Sequence, residues 1–338
     1  MKCAILKKAG EILIKDIEEP PVKKGEALLR IHACGICGSD LHSYSGKHPF
    51  VIYPIIPGHE CSGEIVEVGE GVDQSILGKK ACIEPSLFCG ECPRCKSGRY
   101  NICDNLRVLG FQAPGAMCEY ISVPLHRIHI LPDTCDYFSG ALVEPCAVAV
   151  HALSRAAMNK GDWILIIGGG VIGLMLLKVA KASGFKVGLV EAREERMRIA
   201  LSFGADFATS PAEFQKESGP KFRPGEFAAV FECVGNESAI NLAIRAAPRG
   251  STVVVAGVFS GPCMLPVELI QDGEIEVKGT LMYMKDDFEK AIELILRGII
   301  KKEDFITRTV TLEEVDSGFK MLLDPDVQTL KVMVSIVE

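Results

Sequence analysis

The stretch Trp163-Ile164-Leu165-Ile166-Ile167-Gly168-Gly169-Gly170-Val171-Ile172-Gly173 is an apolar run followed by glycines at 168, 170 and 173. The run has the length of a buried strand, and the G-x-G-x-x-G spacing directly after it marks a tight turn into a helix. Gly168 permits the turn, Gly170 lets the backbone approach a pyrophosphate, and Gly173 lets helix and strand pack closely. Val171 and Ile172 open the helix, whose free N–H groups and partial positive charge favour a phosphate. Glu191 follows the next apolar run, Lys186–Val190, 18 residues after Gly173. A carboxylate there holds the adenosine ribose hydroxyls and repels a 2′-phosphate, so NAD is expected over NADP. Arg193 and Arg196 are near enough in sequence to soften that repulsion.

Outward from this turn, apolar runs alternate with helix-period segments. Strands are predicted at Trp163–Ile167, Lys186–Val190, Ala228–Cys233, Thr252–Ala256 and Ile275–Gly279, with a weaker one near Asp206–Thr209. Helices are predicted over Val171–Ser183, Glu194–Phe203 and Glu237–Ala247. That rhythm describes a doubly wound α/β domain with a parallel sheet. The first 145 residues are different, with short β-type runs at Glu11–Asp16, Glu26–His32 and Glu64–Val68 between glycine- and proline-rich turns. The tail is mixed: a helix over Asp287–Arg297 capped by Asp286, another over Leu312–Leu323, and a last strand at Leu330–Ile336. The expected layout is a β-rich domain over 1–147, completed by 285–338, around a nucleotide domain over 148–284.

The chain has 338 residues, 48% hydrophobic and 24% charged, enough for two cores. A net charge of −7 argues against a general electrostatic grip on nucleic acid or an anionic membrane. Lysines interrupt the N-terminus where a signal peptide would be apolar. The longest uncharged stretches, Trp163–Leu177 and Gly250–Val267, are broken by glycine or proline and do not read as membrane spans. A soluble, cytoplasmic protein is expected.

Fourteen cysteines are many for a reducing compartment, and seven lie between Cys61 and Cys118. Cys89-x2-Cys92-x2-Cys95-x7-Cys103 offers four thiolates in one loop, which can close a tetrahedral Zn²⁺ completely. Such a site is structural, holding a lobe that has little apolar material of its own. An iron–sulfur cluster is the competing reading. Bacterial ferredoxin spacing, however, brings the fourth cysteine after three residues with proline following, and here the gap is seven with Asp104 next.

Cys37-Gly38-Ser39-Asp40-Leu41-His42, Gly58-His59-Glu60, the cysteine lobe, Glu144-Pro145 and Gly168–Gly173 together resemble the zinc-dependent medium-chain dehydrogenase/reductase family. Sorbitol, butanediol and threonine dehydrogenases belong to it. The resemblance runs along nearly the whole chain. It implies a Rossmann domain inserted into a mostly-β, GroES-like catalytic domain, two zinc ions per subunit, and NAD. Cys37 and His59 correspond to protein ligands of the catalytic zinc. Glu60 corresponds to a third ligand or to a carboxylate that approaches the metal during turnover. Glu144 stands where classical alcohol dehydrogenases have cysteine, and would sit at the zinc directly or through water. Cys34 and Cys61 match no ligand position. Ser39, then the cofactor's ribose 2′-hydroxyl and then His42 correspond to a relay that carries the hydroxyl proton to solvent, a task suited to an imidazole.

One thiolate, one imidazole and carboxylate or water leave zinc more electrophilic than a two-thiolate site. The implied reaction is oxidation of a secondary alcohol, a polyol, diol or sugar alcohol, to the ketone. A hydroxy amino acid such as L-threonine is the alternative substrate, and a non-catalytic NAD-binding member the alternative role. Phe111, Phe259 and Tyr283 occupy places of pocket walls, though each reads equally well as core. Sorbitol dehydrogenases usually carry arginine before the tyrosine of the Tyr283 segment, where this chain has Met282, which favours a smaller or less hydroxylated substrate. The resemblance also implies a homo-oligomer, tetramer or dimer.

Overall fold

A computed structural model describes residues 1–216, 227–324 and 327–337. It divides the chain into two compact units: Met1–Glu144 with Met284–Glu338, and Pro145–Tyr283.

The first unit is built on a seven-stranded sheet. Its central strand, Glu26–Gly35, pairs antiparallel with Glu60–Val68, Tyr120–Pro124 and Lys331–Ser335. Seven of that strand's ten residues are buried: Ala27, Leu29, Ile31, Ala33 and Gly35 make one face wholly apolar, and on the other Leu28 and Cys34 flank the half-buried Arg30 and His32. The strand runs three residues past the expected His32, because Ala33, Cys34 and Gly35 are also small or apolar and buried. Register then does the positioning: Gly35 faces Glu60 on one side and Met333 on the other. Leu29, Ile31, Ile65, Phe319 and Val332 form part of the core beneath.

Next comes the helix Gly38–Tyr44, with Cys37 as its N-cap residue. At seven residues it is too short to show helical periodicity, and the sequence reading did not place it. The tail helix spans Lys285–Leu296 and not Asp287–Arg297: Met284 is the N-cap, and Asp287 reaches back to its N–H at 2.9 Å. Asp286 and Asp287 thus lie in the first turn, where a carboxylate suits the helix dipole, and neither is the cap. After a short helix at Lys302–Phe305, the helix expected over Leu312–Leu323 spans Val315–Leu323, and the last strand is Lys331–Ser335.

The second unit is a six-stranded parallel sheet. Its order is Phe207–Thr209, Lys186–Val190, Trp163–Ile167, Phe227–Glu232, Thr252–Val255, Glu276–Gly279. Chain order reverses between Trp163–Ile167 and Phe227–Glu232, and ligands of such sheets bind outside the carboxyl ends of the strands at that reversal. Helices Val171–Ala182, Glu194–Ser202 and Glu237–Ala246 make the crossovers, each within a residue or so of its expected bounds. Leu165, Val230, Ala243 and Val253 centre the core. Among the described residues, no helix is long and apolar enough to cross a membrane.

Candidate metal centres and nucleotide turn

Ligand atoms of Cys37, His59 and Glu60 lie within 4.8 Å of one another. Cys37 is held by its own helix: its N–H donates to Asp40 Oδ2 at 2.9 Å. Asp40 is fully buried, and its other oxygen faces His59 Nδ1 at 3.5 Å. Burial works against charge on His59, but the carboxylate of Asp40 and the Cys37 sulfur overcome it and hold the imidazole well above its usual range. A carboxylate at Nδ1 leaves Nε2 for a metal, an arrangement that fixes the ring of a ligating histidine. Ser39 Oγ donates to Cys37 Sγ at 3.2 Å. His42 lies one turn on in the same helix, its carbonyl accepting the N–H groups of Lys47 and His48.

Glu60 is buried against a lysine. Lys331, 2% exposed, donates to Glu60 Oε2 and, at 3.3 Å, to the carbonyl of Ile36. Burial disfavours its charge; Glu60, the Cys37 sulfur and Glu144 outweigh that and raise it above the ordinary lysine range. A Cβ on residue 35 would lie 2.2 Å from Glu60 Oε2, so only glycine leaves the carboxylate room there. Glu144 lies in the first turn of the helix Val143–Ser154, is 6% exposed, and is felt electrostatically by Lys331 and Cys61. It is outside the three-residue cluster among the described residues. Phe111 tilts against the His59 ring at 5.0 Å, and His48 stacks on Phe111. Phe259 packs on the core of the second unit, and Tyr283 is fully buried. Cys34 and Cys61 are buried thiols whose pKa burial pushes up, which suits packing and not ligation.

The sulfurs of Cys89, Cys92, Cys95 and Cys103 form the other cluster. Separations are 3.4 Å for Cys89–Cys103, 3.9 Å for Cys92–Cys103 and 4.0 Å for Cys89–Cys95. Tetrahedral zinc with bonds of about 2.3 Å requires sulfurs about 3.8 Å apart. No pair is a disulfide. Backbone N–H groups of Cys89, Cys92, Cys95 and Asn105 point at these sulfurs at 3.3–3.5 Å. The amides of Glu91 and Cys92 pull the Cys89 thiol down to about 6. Four clustered sulfurs wrapped by amide donors fit a closed zinc site, and the half-buried Cys37 thiol with the buried His59 imidazole and Glu60 carboxylate fits a second zinc.

In the second unit Gly168 has φ 104°, a conformation that favours glycine. A Cβ on Gly173 would lie 1.9 Å from the Gly168 carbonyl, whereas one on Gly170 would meet open space. The turn therefore closes on one side and leaves the Gly170 backbone free to be approached, as a pyrophosphate requires. Gly170 is the N-cap of the Val171–Ala182 helix, whose first residues are Val171 and Ile172. Glu191 accepts the Gly169 N–H at 2.7 Å and the Arg193 N–H at 2.9 Å. Burial lowers the pKa of Arg196, and Glu191 opposes that effect.

Sequence reasoning missed two residues, Asp40 and Lys331. Asp40 sits inside the quoted motif, but its partner His59 is 19 positions away. Lys331 is 271 positions from Glu60, and no local pattern marks it.

Residues 23–133 match the alcohol dehydrogenase GroES-like domain, and residues 171–297 the zinc-binding dehydrogenase domain. The chain is 33% identical to a sorbitol dehydrogenase of Bacillus subtilis, covering 99% of this chain and 97% of that one. It is 32% identical to an (R,R)-butanediol dehydrogenase of Neisseria gonorrhoeae, covering 99% of each. A zinc-binding dehydrogenase of Sinorhizobium meliloti, solved with NADP, superposes with a TM-score of 0.91 at 30% identity over 99% of each chain. The chain thus belongs to the zinc-binding medium-chain alcohol dehydrogenase family, oxidoreductases that pass hydride between a secondary alcohol and a nicotinamide dinucleotide.

Proposed function

We propose that this enzyme oxidises a small polyol, diol or sugar alcohol at a secondary hydroxyl with NAD, as a cytoplasmic homo-oligomer. Residues 1–147 with 285–338 act as the catalytic domain, and 148–284 as the NAD-binding domain. The observation that carries the reading is the cluster of the half-buried Cys37 with the buried His59 and Glu60, braced by Asp40 and Lys331. Cys37, His59 and Glu60 would hold the catalytic zinc, with Glu144 at it directly or through water, and the four lobe cysteines would hold the structural one. When bound, the catalytic zinc supplies Lewis acidity that makes a hydroxyl easier to deprotonate, and the nicotinamide takes the hydride. Asp40 keeps His59 in one tautomer and orientation. Lys331 neutralises Glu60 and restrains it beside Cys37 and His59. Ser39, two residues after Cys37, would accept the substrate proton as it gives up its own toward the ribose 2′-hydroxyl, and His42 would pass the proton on to solvent.

Glu191 supports NAD over NADP, its carboxylate lying against the glycine turn where the ribose is expected. The relatives named for sorbitol and butanediol support a substrate with a second hydroxyl. Met282, in place of an arginine, supports a compact one; its backbone is left-handed at φ 50°.

The test is the initial rate of NAD reduction over a panel of secondary alcohols, diols, polyols and L-threonine, with a chelator control. A chelator-sensitive rate greatest on one diol or polyol class is expected. Activity confined to L-threonine, or absent across the panel in zinc-loaded protein, would overturn the assignment of substrate.

A further inference from the structure

Glu232 ends the strand Phe227–Glu232 and is fully buried, in the unit that holds the glycine turn. It pairs with Ile167 on one side and Val255 on the other, so it sits at the reversal of the sheet order. A buried carboxylate is costly unless it is well bonded. Glu232 Oε1 accepts the N–H groups of Val234 and Gly235, both at 2.7 Å. Its backbone carbonyl accepts those of Ala256 and Gly257 at 2.8 and 3.0 Å. One residue therefore gathers the turn after its own strand and the turn after the next.

Those turns touch without a side chain between them. A Cβ on Gly257 would lie 2.1 Å from Gly235 N and 2.6 Å from Glu232 Oε2. One on Gly235, where φ is 82°, would lie 2.4 Å from the Val258 carbonyl. Oε2 has no hydrogen-bond partner among the described residues. Burial raises the carboxyl's pKa, against the pull of the Gly235, Val234 and Gly257 amides. The outcome is two half-exposed valines, Val234 and Val258, carried on turns at the carboxyl ends of adjacent strands. The first abuts the glycine turn: a Cβ on Gly168 would meet Val234 Cγ2 at 2.7 Å, and Cys233 N–H donates to the Ile167 carbonyl.

A dinucleotide lies across such a sheet with one half on each side of the reversal. Glu191, at the end of Lys186–Val190, marks the adenosine side, which leaves the side of Phe227–Glu232 for the nicotinamide. We infer that Glu232 is a positioning residue for the nicotinamide half of the cofactor: it clasps two turns so that Val234 and Val258 form an apolar edge for the flat ring. This rests on the reading of NAD as cofactor.

The test compares full-length wild type with Glu232→Gln, Glu232→Ala and Glu232→Asp, titrating NADH and AMP by calorimetry. AMP reports the adenosine side and the integrity of the sheet. Alanine removes the acceptor and aspartate is too short to reach both amides, so each should weaken NADH about ten-fold or more and AMP less than about two-fold. Glutamine keeps an oxygen at the Oε1 position and should bind NADH within about three-fold of wild type. Aspartate carries the comparison if alanine does not fold. NADH affinity unchanged in both shortened variants would overturn the inference, as would parallel loss of NADH and AMP, which would make Glu232 a general support of the sheet. Wild type that binds neither nucleotide would overturn the cofactor reading, and the inference with it.

Discussion

Glu191 does two things with one carboxylate. Its oxygens accept the N–H groups of Gly169 and Arg193, which ties the glycine turn to the end of the neighbouring strand. The same group is the negative charge that a 2′-phosphate would have to approach. Glu191→Ser should therefore shift the ratio of kcat/KM for NAD over NADP toward NADP by about ten-fold or more, since hydrogen bonds to a charged group are worth about 1.5–3 kcal/mol. Steady-state kinetics with both cofactors measures it. Weaker binding of both at an unchanged ratio would leave Glu191 as a brace for the turn only. Its place at the turn was legible in sequence because the distance from Gly173 is set by one strand–helix–strand unit. The braces of the metal cluster were not legible in that way: Asp40 meets His59, and Lys331 meets Glu60, only once the strands Glu26–Gly35, Glu60–Val68 and Lys331–Ser335 are in register. A lone lysine near a chain end reads as a surface charge until that pairing buries it.

Among the elements, the cysteine lobe shows how a segment with little core of its own is attached. Arg127, 4% exposed, lies over the rings of Phe88 and Tyr100 at 4.6 and 4.9 Å, and both belong to the lobe segment. Its guanidinium donates to Glu84 at 2.6 Å and to Ser86 Oγ at 3.1 Å, and His129 faces the same carboxylate. Burial tends to raise the pKa of Glu84, but the bond from His129 and the charge of Arg127 prevail and lower it. Breaking one side of a buried pair leaves the other charge uncompensated, so Glu84→Gln should destabilise by about 3 kcal/mol in denaturant unfolding. The sign with pH follows from linkage. A carboxyl held lower in the folded state stabilises above its unfolded value of about 4.3, and that contribution is lost as pH falls through the folded value. The difference between wild type and variant should then be full at neutral pH and shrink on acidification below about pH 4. A difference independent of pH over that range would assign the loss to packing. The four-cysteine spacing announced the metal site, but the clamp that fixes the lobe lies outside the motif and was invisible in sequence.

Across the whole molecule, the sequence pattern carried the two-unit layout because the period changes from short β-type runs to strand–helix alternation near the helix Val143–Ser154. Long periodic segments such as Val171–Ala182 read to within a residue, while the seven-residue helix that presents Cys37 did not read at all. The proposed function draws on both units, one for the Cys37–His59–Glu60 cluster and the other for the glycine turn, and it gives the two cysteine-containing clusters different duties. In the proposed function Cys37 belongs to an open ligand set beside the proposed relay residues, whereas Cys103 belongs to a closed one. The most direct test is to measure zinc content, NADH binding, turnover and thermal midpoint for Cys37→Ser and Cys103→Ser beside wild type. Wild type should hold about two zinc ions per chain. Cys37→Ser should lose one of them and at least about 100-fold in kcat, with NADH affinity and thermal midpoint near those of wild type. Cys103→Ser should lose the other together with stability, by about 2–5 kcal/mol or to the point of poor folding. Full zinc content and turnover in Cys37→Ser, or loss of NADH binding in step with activity, would contradict the assignment of Cys37, His59 and Glu60 as the catalytic centre.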